Sequence, residues 1–105
     1  MMECSKQDWN LYREKLKEWQ ERYMARLDQE YIELLQSDQP ASSRFWALNQ
    51  RIQQDQKKTG VQAELKKSTV VYQLAELLSY GAITEEDLAG FSEELLNRLD
   101  HFRHD

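Results

Sequence analysis

Apolar residues in the first third of the chain fall at Trp9, Tyr12, Leu16, Trp19, Tyr23, Leu27, Tyr31 and Leu34. Their steps of three and four are the repeat of one face of an α-helix. Neither Pro nor Gly interrupts the stretch, so the spacing predicts one continuous helix over about residues 6–36. At about 1.5 Å per residue such a helix is on the order of 45 Å long, more than the core of so short a chain covers evenly. Ser5 followed by Asp8 reads as an N-cap with a capping-box partner, and Cys4 and Trp9 occupy the positions of a hydrophobic staple. Glu18 to Arg22 and Arg26 to Glu30 are i,i+4 charge pairs of a solvated face. Leu11 and Ile32 leave the stripe, so either loops cover them or they touch another chain.

Three further periodic stretches follow. Ser37-Asp38-Gln39-Pro40 stops the first helix, and a second is expected over about 43–58 with Phe45, Leu48 and Ile52 inward and Trp46 on the flank. Lys57 and Lys58 suit its C-terminal dipole and Gly60 its C′ position. A third helix is expected over about 61–80, but its apolar positions change register. Val61, Leu65 and Tyr72 share one side, and Val70, Leu74 and Leu77 lie nearly opposite. Either this helix is buried on both faces or it bends around Lys66 to Thr69. Gly81 reads as its C′ residue. The last helix, about 85–102, starts with Thr84 as N-cap, Asp87 returning a capping contact, and Ile83 with Leu88 as a staple. Leu88, Phe91, Leu95, Leu99 and Phe102 continue its stripe, in which Gly90 weakens the helix and allows a close crossing. The fold class is therefore all-α: a small antiparallel bundle of about four helices, with one long N-terminal helix, in a single domain over residues 1–105.

Composition agrees. Of 105 residues, 40% are hydrophobic and 31% charged, with only 3 Gly and 1 Pro, which suits helices and leaves little for β-turns. No apolar run approaches the roughly 20 residues of a membrane span, and Met1 to Lys6 lack the apolar stretch of a secretion signal. The expected compartment is the cytoplasm, and a membrane partner is not expected. A single cysteine fits a reducing environment. The net charge of −5 is uneven: residues 39–83 are basic between acidic flanks, as for a basic middle segment packed beside acidic outer helices.

No Gly-rich phosphate loop, CxxC, HExxH or GxSxG is present. Adjacent carboxylates such as Glu85-Glu86 and Glu93-Glu94 project in different directions and form no acid/base pair. His101 and His104, beside Asp100 and Asp105, have metal-ligand chemistry but sit in a hydrated tail without a supporting shell, so no metal or cofactor is expected. No enzyme activity is expected. Two binding readings remain. Tyr and Trp along the long helix, with Leu11 and Ile32 beside them, suit a protein partner or a second copy of the chain, through Trp9, Leu11, Tyr12, Trp19, Tyr23 and Ile32. Antiparallel packing of two copies along this helix is the simplest way to bury its surplus, unless the 37–43 loop and the C-terminal tail fold over it. Alternatively, Lys57, Lys58, Lys66 and Lys67 bracket one turn and form a basic patch for phosphate or nucleic acid. A helix-turn-helix is disfavoured, because the helix after Gly81 presents glutamates.

Asp8-Trp9-Asn10-Leu11-Tyr12-Arg13, Phe45-Trp46-Ala47-Leu48 and Gly81-Ala82-Ile83-Thr84-Glu85-Glu86-Asp87-Leu88 resemble a group of small helical proteins of Gram-positive bacteria, over most of the chain. Some members of that group carry transporter-like labels, which the lack of a membrane span argues against here. The resemblance implies no activity and no catalytic residues.

Overall fold

The computed structural model describes residues 4–104, and among them there are four α-helices and no strand. Helix α1 spans Lys6–Leu35, α2 Ala41–Asp55, α3 Val70–Ser79 and α4 Glu93–Arg103. Single 3-10 turns, Lys67–Thr69 and Glu85–Leu88, precede α3 and follow it. The chain is an all-α helical bundle built on the long N-terminal helix, and its 51 Å extent is about that helix's length. No helix among the described residues is long and apolar enough to cross a membrane.

Tyr12, Leu16, Trp19, Tyr23 and Leu27 of α1 are buried, and the stripe ends there. They share one core with Val70, Val71, Leu74 and Leu77 of α3, Ile83 and Leu88 of the following turn, and Leu95 and Leu99 of α4. Ser5 caps α1 by accepting from the Asp8 amide at 3.1 Å. Asp8 does not return the contact. It is buried and accepts from the Ser92 amide at 2.8 Å and from the Ser92 hydroxyl, fastening the start of α1 to the start of α4.

Helix α2 begins at Ala41 rather than 43, because Pro40 needs no N–H at a helix start and its carbonyl accepts from the Arg44 amide. It ends at Asp55, three residues early, where the carboxylate turns inward and the chain enters tight turns through Lys57 and Lys58. Gly60 takes no positive φ, so it is not a helix-ending residue of the expected kind. What it provides is room: a Cβ there would lie 2.4 Å from the Tyr23 ring.

The third helix is half the expected length. Residues 62–66 form no helix; Val61 and Ala63 lie against the core while Gln62 and Glu64 face solvent, an alternation of two. The buried Gln73 amide holds this segment, donating to the Glu64 carbonyl at 2.8 Å while its oxygen accepts from the Tyr12 hydroxyl. The register change at residues 66–69 is thus the start of α3, not a bend within a helix. Gly81, at φ +73°, ends α3 as expected, with the Ala82 amide bonded to the Leu77 carbonyl and the Gly81 amide to that of Leu78. Thr84 and Asp87 make their capping contact at 2.8 Å. The helix expected over 85–102 nevertheless breaks after Leu88. Gly90 adopts φ +98° with Leu11 against it, and Ser92 starts α4 by accepting from the Leu95 amide.

Candidate interaction surface at the hairpin end

Beyond Leu27 no side chain of α1 is fully buried: Tyr31 packs against the edge of the core, and the helix runs on beside α2. Three contacts define this antiparallel hairpin. Arg44 donates to the Leu35 carbonyl, Arg51 to Glu30 at 2.7 Å, and Tyr31 to Asp55. Arg44, Arg51 and Asp55 lie at i, i+7 and i+11, one face of α2, with the half-buried Leu48 at i+4 among them. The larger apolar residues are displaced to the flank. Phe45 is 63% and Trp46 64% exposed, in edge-to-face contact at 5.0 Å, and Ile52 is exposed one face-repeat beyond Phe45. Ile32 and Leu35 of α1 are exposed at the same end of the molecule. Of the three residues expected inward, Leu48 is half-buried while Phe45 and Ile52 are exposed, because the contacts of Arg44, Arg51 and Asp55 with α1 set the rotation of α2.

Asp55 is the polar anchor of this arrangement. It is 3% exposed, accepts from Tyr31, and has Lys58 at 3.2 Å and Arg51 at 3.6 Å. Burial alone pushes its carboxyl up, but the hydrogen bonds from Tyr31 and Lys58 and the charges of Lys58 and Arg51 outweigh this and hold it below the ordinary carboxylate value. Burial, then the bond to Asp55, pushes the Tyr31 hydroxyl well above its usual range. Arg51 also lies over the Tyr31 ring at 5.5 Å. Above this cluster Met24, Asp28, Tyr31, Ile52 and Gln56 flank an apolar groove of about 210 Å³.

Of the positions expected to meet a partner, Tyr12, Trp19 and Tyr23 are buried in the chain's own core. Trp9 and Leu11 are half-buried, Trp9 beneath the Arg13 guanidinium and Leu11 against Gly90. Only Ile32 lies on the exposed surface. Leu35, Phe45, Trp46 and Ile52 were not expected there. The signal for them was available: Arg44, Arg51 and Asp55 form a helical stripe as regular as Phe45, Leu48 and Ile52, and Arg51 finds an acid, Glu30, on α1.

The four lysines do not form one patch. Lys58 lies over the Tyr80 ring at the C-terminal end of α3, whereas Lys66 and Lys67 precede its first turn, a separation on the order of 15 Å for a ten-residue helix. Lys58 is engaged by Asp55 and Lys66 by Glu64. His104 contacts Asp100 at 3.4 Å, Asp105 lies outside the described residues, and among those described no group of three or more His, Cys, Asp or Glu is placed to hold a metal. A wider depression between α1 and residues 61–65 is lined by Asn10, Arg13, Glu14, Lys17 and Gln20, with both signs of charge.

No family model, curated protein or solved structure matches this chain. The functional reading therefore rests on geometry.

Proposed function

We propose that this chain is a non-enzymatic protein–protein interaction module whose contact surface is the exposed end of the α1–α2 hairpin. One observation carries the reading: α2 buries Asp55 and leaves Phe45, Trp46 and Ile52 exposed, with Leu48 only half-buried between Arg44 and Arg51. An amphipathic helix at the surface of a self-contained domain turns its large apolar residues to the core. Exposing Phe45, Trp46 and Ile52 together with Ile32 and Leu35 forgoes about 25 cal/mol per Å² of apolar surface, which a partner would recover. Trp and large apolar side chains exposed at one end of a molecule are the residue types that dominate interface energetics.

Phosphate or nucleic-acid binding through Lys57, Lys58, Lys66 and Lys67 has less support, given their separation and the carboxylates that engage Lys58 and Lys66. The test is a paired capture from cells that naturally produce the chain, with wild type, a Phe45→Ser, Trp46→Ser double variant, and a Tyr72→Ser control that alters another exposed aromatic. The expected result is a discrete protein held by wild type and control and lost with the double variant. Equal capture by all three would sink the proposal.

A further inference from the structure

Helix α2 contains three charged residues, Arg44, Arg51 and Asp55, and all three are engaged with α1: Arg44 on the Leu35 carbonyl, Arg51 on Glu30 and Asp55 under the Tyr31 hydroxyl. At about 100° per residue they fall within about 40° of one another around the helix. The outward half of α2 is left without an ionised group. Its centre is Asn49, with Phe45 and Trp46 a turn before it and Ile52 and Gln53 a turn after it, all five exposed. On the side of Phe45 and Ile52 the face continues across the groove to α1, where Asp28 stands on the wall and Ile32 and Leu35 follow it at i+4 and i+7.

Resting on the interaction reading above, we infer that the occupant is a second copy of this chain, bound across a two-fold axis at Asn49 with the two α2 helices antiparallel. Charge supports a copy over a charged partner. An ionised side chain arriving on α2 would lose water without meeting an opposite charge. Apolar side chains carry no sign, and the carboxamides of Asn49 and Gln53 each hold a donor and an acceptor, so they pair with their own kind. The arrangement is self-complementary: Asn49 faces Asn49 of the second copy, Trp46 faces Ile52 of the second copy, and Phe45 faces Gln53 of the second copy. Area supports it too. Aromatic side chains bury about 150–250 Å² each, so Phe45 and Trp46, nearly two-thirds exposed, present roughly 250 Å² between them. With Ile52, Ile32, Leu35 and the amides, two copies bury on the order of 1,000 Å², the lower end for a specific contact. The contact falls on α2 rather than along α1, whose stripe from Tyr12 to Leu27 is buried in the chain's own core.

The experiment is sedimentation equilibrium of the full-length chain over a micromolar concentration series, with Asn49→Asp, Asn49→Lys and Phe45→Ser, Trp46→Ser variants whose helicity is checked by circular dichroism. The wild-type mass is expected to rise with concentration from 12.6 kDa toward twice that value. Each Asn49 variant alone sets like charges together at the axis and stays at 12.6 kDa. An equimolar mixture of the two sets opposite charges there and recovers the rise. The double variant weakens association by about tenfold or more. Because the face is uncharged, wild-type association changes little between low salt and about 1 M. A wild-type mass of 12.6 kDa at every concentration overturns the second copy, and the interaction surface then stands or falls with the paired capture described above. A dimer that the Asn49 variants and the double variant leave unchanged lies on another face and overturns the inference. A mixture that stays monomeric while wild type dimerises takes Asn49 off the axis and overturns the antiparallel arrangement.

Discussion

At Gly60 the Tyr23 ring lies where a side chain would have to begin, 2.4 Å from the position of a Cβ. Tyr23 is buried and tilted against Tyr80 at 5.2 Å, so the ring has nowhere to move. The backbone φ is unremarkable for an L-residue, and on backbone grounds alone Gly60→Ala would stabilise by about 0.4–1 kcal/mol through the unfolded chain. The steric term decides the sign: Gly60→Ala is expected to destabilise by about 1–3 kcal/mol in a denaturant titration. A neutral or stabilised variant would show that the ring yields. Gly60 also shows the limit of reading the chain as a string. A glycine after two lysines at the end of a periodic stretch suggests a helix terminus, whereas its reason to exist is a ring 37 residues earlier. Asp8 is a similar case: its cap position is local and legible, its partner Ser92 is not. Gly81 and Thr84 were legible because their function is complete within five residues.

Helix α2 carries the next test. If its apolar face belonged to the core, truncating Phe45 or Trp46 would cost about 3–5 kcal/mol; exposed as they are, Phe45→Ser and Trp46→Ser should each leave stability within about 0.5 kcal/mol. Trp19→Ala, in the core stripe, provides the contrast at about 3–5 kcal/mol. The docking of α2 should also respond to acid. The folded-state value of Asp55 lies below its unfolded one, so its stabilisation is complete above about pH 4 and is lost as pH falls through the folded value. Asp87, held down by the Thr84 amide and Arg22 against the opposing effect of its burial, has the same sign. Thermal melts should therefore drop more steeply below pH 4 in wild type than in Asp55→Asn; parallel curves would refute the latch. At this scale the sequence is an uneven guide. A thirty-residue helix with an uninterrupted stripe admits one reading. Residues 61–66 and 85–92 do not, because Val61 with Ala63 fits a short extended run as well as a helix, and Gly90 followed by Ser92 and two glutamates spells a stop and a new start inside an apolar repeat that runs through both.

In the whole molecule the long helix has two environments. Its first two-thirds pack on α3 and α4 through five buried side chains, and its last third is held to α2, whose buried member is the carboxylate Asp55. The two helices are joined there by Tyr31 to Asp55, Arg51 to Glu30 and Arg44 to the Leu35 carbonyl, while Leu34, Ala47 and Leu48 are only half-buried. Of these contacts Arg51 with Glu30 is an exposed ion pair, contributing about 0–1 kcal/mol, and no apolar side chain of α2 is fully buried, whereas each fully buried large one in the other environment contributes about 1.5–3 kcal/mol. The hairpin end should therefore open by itself, at a free energy below that of global unfolding. Native-state hydrogen exchange tests this directly. Amides from Phe45 to Ile52 should exchange through a local opening insensitive to low denaturant, while those of Leu16 to Leu27 and Leu74 to Leu77 exchange only with the global transition. Asp55→Asn should speed the first group and leave the rank order intact. Uniform protection across all four helices would mean that α2 is held as firmly as the core, and an interface built on it would then be rigid before any partner arrives.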